Sequence, residues 1–136
     1  MTRPITEVAV GIIISSDDDY LLANRPIGKP YEGYWEFPGG KIESGETIHQ
    51  ALVRELEEEL GIKVLESTAI GTIEHDYPHA YVRLHLQVVK KWTGIPEGIE
   101  GQKLAWQTSR LLSDCILNPL LPATISIIEL MKDKGI

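Results

Sequence analysis

Glu55, Glu58 and Glu59 stand at i, i+3 and i+4 in a segment of good helix formers. At about 100° per residue their carboxylates share one sector of a helix roughly 100° wide. Like charges so spaced repel by roughly a few tenths of a kcal/mol per pair. A solvated charged face is the ordinary meaning of such a run. The alternative is a cation that reverses the repulsion, because Mg²⁺ and Mn²⁺ take carboxylate oxygens and keep water and phosphate as further ligands. Such a cluster could neutralise a phosphoanhydride, place a water in line and stabilise the leaving phosphate.

The residues around the three acids follow a wider spacing. Gly39-Gly40 come first, Glu46 lies six residues after Gly40, and after seven more residues come Arg54-Glu55-Leu56, then Glu58-Glu59 and Gly61-Ile62. A helix over about residues 47–60 explains the order. Ser44, or Glu46 to Thr47, offers its start and Gly61 its stop. Leu52, Val53, Leu56 and Leu60 occupy the sector next to the acids, so one face is buried beside a charged one. Glu46 and Arg54 read as supports, with Arg54 pairing with Glu46 or another acid and holding a ligand in place.

The chain that must position these groups has 136 residues, enough for one domain and one core. No apolar run reaches the roughly 20 residues of a bilayer span, and the N-terminal residues lack a signal peptide's apolar core, so the expectation is cytoplasmic. The lone Cys115 excludes an internal disulfide and a cysteine zinc site. A formal charge of −7 argues against binding a nucleic-acid polymer, and six of the 20 acidic residues lie between Glu43 and Glu59. A phosphate-bearing substrate would therefore need a metal bridge.

Strand composition marks residues 7–15 (a run buried on both faces), 20–25, 34–40, 64–74, 82–92 and 104–106. The alternation of Val82, Leu84, Leu86 and Val88 with polar residues predicts a half-buried antiparallel strand. Asp17-Asp18-Asp19 and His75-Asp76-Tyr77-Pro78-His79 read as turns, and residues 122–132 as a second helix. Trp35 and Phe37 read first as core residues, with a place beside the substrate as the other possibility.

The full spacing resembles a complete Nudix box, G-x5-E-x7-R-E-U-x-E-E-x-G-U with U aliphatic, filled by Gly40, Glu46, Arg54, Glu55, Leu56, Glu58, Glu59, Gly61 and Ile62 without a departure. The resemblance implies an α/β fold, an α/β/α sandwich with a mixed central sheet, in which the box forms a loop-helix-loop within a single domain over residues 1–136. It implies a Mg²⁺- or Mn²⁺-dependent hydrolase that cleaves a nucleoside diphosphate linked to another moiety. The implied metal ligands are Glu55, Glu58, Glu59 and, through Trp35-Glu36-Phe37-Pro38-Gly39-Gly40, the Gly39 carbonyl. Glu55 or Glu58 would accept the proton of the attacking water, with Glu46 and Arg54 in support. Arg25, Phe37, Gly40 and Thr124 are expected against the substrate.

Beyond the box, the order of motifs is similar to the MutT-like 8-oxo-dGTP diphosphatases, which release the monophosphate and pyrophosphate. W-x-G-x-P, E-G-Q and x-W recur within residues 92–106, which puts Glu100 on a loop glutamate of the metal site. Two positions depart from that pattern. Thr124 follows Pro122-Ala123 where relatives carry an asparagine that reads the oxidised purine, and Ala80 or Tyr81 stands where an arginine is expected. A small nucleotide is the expected partner, with no membrane and a monomeric or homodimeric state. Two alternatives stand beside this reading: hydrolysis of another nucleoside diphosphate derivative, such as a nucleotide sugar or dinucleotide, and a non-catalytic nucleotide-binding module.

Overall fold

The computed structural model describes residues 3–136, so Met1 and Thr2 of the segment expected to lead into the first strand lie outside it. Strand β1 (Ile5–Ile13) is the axis of the fold, and its last five residues are buried, as its apolar run requires. Strand β4 (Gly39–Lys41) pairs antiparallel with one edge of β1, while β6 (Tyr81–Thr93) runs parallel to the other from Ile5↔Tyr81 to Ile13↔Val89. Strand β5 (Lys63–Asp76) pairs antiparallel with β6, completing a mixed sheet in the order β4-β1-β6-β5. A second, three-stranded antiparallel sheet has the order β3 (Trp35–Glu36), β2 (Tyr20–Asn24), β7 (Leu104–Gln107).

Alternate residues of β1 feed two cores. Ala9 and Ile13 pack with Leu52, Leu56 and Leu60 of helix α1 (Ile48–Leu60). Val10 and Ile12, with Ile14 just past the strand's end, pack with Ile127, Ile128 and Met131 of helix α2 (Pro122–Lys134). A strand's side chains alternate in direction, so β1 alone places one helix on each face of the mixed sheet. Helix α1 sits close, since a Cβ on Gly11 would be 3.0 Å from Leu56 Cδ1.

Helix α1 starts where a capping box predicts. The Thr47 hydroxyl accepts from the Gln50 amide (3.1 Å), and the Gln50 side chain accepts from the Thr47 amide (2.9 Å). Gly61 ends it in the left-handed region, φ 69°, with its N–H on the Glu57 carbonyl. Three details differ from the sequence expectation: the one strand expected over residues 34–40 is divided into β3 and β4, which belong to different sheets. Strand β5 continues through His75 and Asp76, leaving residues 77–80 as the turn, closed by Tyr77 N–H on the Ala80 carbonyl (2.9 Å). Strand β6 is antiparallel to β5 but parallel to β1, a pairing its alternation cannot reveal, because the period of two fixes faces and not neighbours. Among the described residues, no helix is long and apolar enough to cross a membrane.

Candidate active site

Arg54 is the hub of the acidic helix. Its Nε and Nη2 fork onto the two oxygens of Glu46 at 2.8 and 2.9 Å, its Nη1 donates to Glu55 at 2.8 Å, and Nη2 also reaches the Lys41 carbonyl at 2.9 Å. Glu58 Oε2 lies 3.6 Å from Nη1 and is mostly exposed. The guanidinium and the Glu43 amide, both donating to Glu46, hold its carboxyl down at about 2. One cation thus ties the loop before α1, strand β4 and the first acid of the triad into a single unit.

Glu55 lies flat against the backbone at Gly40, where a Cβ would sit 2.2 Å from the carboxylate carbon. Glycine is required there so that the acid can lie against the backbone of β4. At neighbouring Gly39 a Cβ would come within 2.1 Å of the Ala9 carbonyl, so β4 can lie beside β1 in this conformation only as glycine.

Glu59 points into a cleft that Gly39, Glu100, Gln102, Glu36 and Phe37 also line. Burial pushes its carboxyl up to about 9, and the nearby charges of Glu55, Glu100 and Glu36 push the same way, against the favourable Gly39 amide. Gln102 fastens the Glu100 loop to the end of α1 by donating to the Glu59 carbonyl (3.0 Å) and accepting from the Glu100 amide (2.9 Å). As placed, no three acidic or histidine side chains among the described residues close into a metal shell, with Glu58 turned outward beside Arg54. The donor set nevertheless fits a hard divalent cation, since its groups are all oxygens and Glu59 is a buried acid among like charges.

Beside this cleft, and sharing its wall of Glu36, Phe37 and Gly39, lies a cavity of about 120 Å³, room for several waters. Arg25 and Thr124 line it with apolar side chains of β1, β6 and α2. Arg25 is neutralised within the protein. Its Nη1 meets both oxygens of Glu36 at 3.0 and 3.1 Å, and its Nε donates to the Pro30 carbonyl at 2.6 Å. Burial raises the Glu36 carboxyl above its usual range, with Arg25 and Lys29 opposing. Thr124 is 1% exposed and donates its hydroxyl to the Trp35 carbonyl at 3.0 Å.

The structure therefore brings Arg25, Phe37, Gly39 and Thr124 to one cavity, and Gly39, Glu59 and Glu100 to the adjoining cleft. Gly40 is outside both linings and serves Glu55. Sequence reasoning gave no role to Glu36, Tyr77 and Gln102, and read His79 as a polar residue of the turn, with a base as the other possibility. A glutamate between Trp35 and Phe37 in a short strand was a signal for an inward charge needing a partner such as Arg25. The phenolic oxygen of Tyr77 accepts from the Ala123 amide (2.9 Å) and so caps α2, whose first turn has no local side-chain cap.

The NUDIX domain family model matches residues 5–111. The 8-oxo-dGTP diphosphatase of Proteus vulgaris is 40% identical over 92 residues, covering 68% of this chain and 82% of that protein. The CTP pyrophosphohydrolase of Escherichia coli K12 is 37% identical over 120 residues, 88% of this chain and 87% of that one. A solved structure from work on MutT of Aliivibrio salmonicida and Vibrio cholerae superposes with a TM-score of 0.78 at 33% identity, covering 96% of this chain and 99% of that one.

Proposed function

Since this chain belongs to the NUDIX domain family and is a nucleotide pyrophosphohydrolase of that family, we propose that it cleaves a nucleoside triphosphate to the monophosphate and pyrophosphate, with 8-oxo-dGTP as the leading substrate. The observation that carries this reading is the shared wall. Glu36, Phe37 and Gly39 face both the carboxylate cleft and the apolar cavity, so one nucleotide can lay its phosphates in the first and its base in the second.

Glu55, Glu58, Glu59, Glu100 and the Gly39 carbonyl would hold the divalent cation, Mg²⁺ or Mn²⁺, which when bound neutralises phosphate charge and acidifies a water. The protein's own groups do the rest. Arg54 fixes the orientation of Glu55, and Glu46 fixes Arg54. Of the two candidate bases, Glu55 is engaged by Arg54 at 2.8 Å, which leaves Glu58, exposed on the same helix, freer to take the water's proton. Phe37 and the cavity's aliphatic side chains exclude water from the base. An enzyme of this kind acts on free nucleotides, consistent with a cytoplasmic pool-cleansing role.

A second reading keeps the reaction and changes the base. Thr124 stands in the place of a purine-reading asparagine, and the relative aligned over 88% of this chain is a CTP pyrophosphohydrolase. Incubation with 8-oxo-dGTP, dGTP, CTP, a nucleotide sugar and a dinucleotide in Mg²⁺ separates the readings. Pyrophosphate released fastest from 8-oxo-dGTP supports the first and from CTP the second. Turnover of the sugar or dinucleotide alone would discard both.

A further inference from the structure

At the rim of the cavity the turn of residues 77–80 meets the loop of residues 26–33. Tyr31 of that loop has φ 59°, a left-handed conformation that a bulky side chain adopts only when its surroundings hold it. Its ring packs edge-on against Tyr34 (5.1 Å) and Tyr77 (5.3 Å) and lies 5.9 Å from His79. His79 in turn stacks on Tyr77 at 5.3 Å and 25°. The turn is fastened on both sides. Arg3 donates to the carbonyls of Tyr77 (2.8 Å) and Pro78 (3.3 Å), and the Tyr77 phenol is anchored on the Ala123 amide.

The polar side chains lining the cavity are otherwise committed. Arg25 and Glu36 hold each other, the Thr124 hydroxyl donates to Trp35, and the Tyr77 oxygen accepts from Ala123. The His79 imidazole, exposed to solvent at the rim, also lines the cavity and has no hydrogen-bond partner among the described residues. Partial burial, with Arg25 and Arg3 nearby, holds it below the usual histidine range. A neutral imidazole offers one donor and one acceptor, a pair that matches the edge of a nucleobase.

We propose that His79, clamped between Tyr77 and Tyr31, hydrogen-bonds the edge of the substrate's base and helps decide which nucleotide is cleaved. This rests on the nucleotide reading above and adds a specificity residue to it. Tyr31 acts through His79 as a positioning residue.

The experiment compares wild type, His79→Ala, His79→Gln and Tyr31→Ala on 8-oxo-dGTP, dGTP, CTP and the baseless methyl triphosphate. His79→Ala should raise KM for the preferred nucleotide about tenfold at nearly constant kcat and reorder the three nucleotides. Methyl triphosphate kinetics and Tm should stay at wild-type values. His79→Gln, which keeps a donor and an acceptor, should recover part of the loss, and Tyr31→Ala should shift KM in the same direction by less. An unchanged nucleotide KM and ranking, or an equal loss on methyl triphosphate, overturns the proposal. Binding of dGMP, 8-oxo-dGMP and CMP to the metal-free protein separates it from the hydrolase reading. Monophosphate binding that His79→Ala weakens, in a wild type that cleaves no triphosphate, keeps His79 and ends the hydrolase. Triphosphate turnover indifferent to His79 does the reverse.

Discussion

The cleft and the cavity share a wall and are built in opposite ways. The cleft and the acidic helix face beside it take Glu46, Glu55, Glu58 and Glu59 from one short stretch, with Glu36 added from β3 and Glu100 from a loop that Gln102 pins to the end of α1. Their parts are charged, and Arg54 binds them together with hydrogen bonds to Glu46, Glu55 and Lys41. The cavity draws on β1, β3, β4, β6, α2 and the connections between them, and most of its lining is apolar. The chemistry is thus local in sequence and electrostatically over-determined, whereas the selection of substrate is dispersed and depends on packing.

The sharpest way to break this contrast is at Glu59. Glu59→Gln should lower turnover at least about 100-fold, because an amide keeps the shape and loses the charge. The same change should raise the metal-free Tm, since it removes the cost of burying an acid and, after that, its repulsion by Glu55, Glu100 and Glu36. It should also shrink the Tm gain that Mg²⁺ gives wild type. A metal-free variant melting below wild type would show that Glu59 is not strained in the empty cleft.

Arg54→Lys comes next. An ammonium cannot fork onto Glu46 and reach Glu55 together, so kcat should fall about 10- to 100-fold while nucleotide ranking stays as it was. A change in ranking would mean that the two regions are coupled through α1. The loop acids form a smaller, paired test. Glu100→Gln should cost about tenfold and require more Mg²⁺ for half-maximal rate, while Glu97→Gln, at the other acid of the same loop and outside the cleft lining, should change neither by more than about twofold. Equal effects would place the E-G-Q match in the wrong register.

The smallest expected effect is in the cavity. Thr124→Asn should raise the 8-oxo-dGTP to dGTP ratio of kcat/KM by up to about tenfold, because the threonine hydroxyl is occupied at the Trp35 carbonyl while an amide extends further and offers both donor and acceptor. An unchanged ratio would show that position 124 serves α2 and not the base.

The same contrast explains what could be read from residue order. Helix α1, its Gly61 stop, the inward Leu52, Leu56 and Leu60, and the pairing of Arg54 with Glu46 all follow from contacts within about twenty residues. Local spacing carries that information. The Gln50 half of the capping box was equally local and went unread. The Arg25–Glu36 pair spans only 11 residues and went unread as well, whereas the Tyr77 cap on α2 and the two hydrogen bonds accepted by the Trp35 carbonyl join elements far apart in the chain. The distant contacts depend on which elements become neighbours, a choice that alternation leaves open, as it does for β6 beside β1.

A methyl group at position 40 would collide with the Glu55 carboxylate at 2.2 Å while removing no charge from the protein. Gly40→Ala is therefore a design for a trap: a silent variant that keeps the base cavity and every acid, with Glu55 pushed off the backbone it rests on. Such a reagent could hold an uncleaved nucleotide long enough to be seen in a crystal or drawn from an extract and weighed, so that the protein itself reports what it selects.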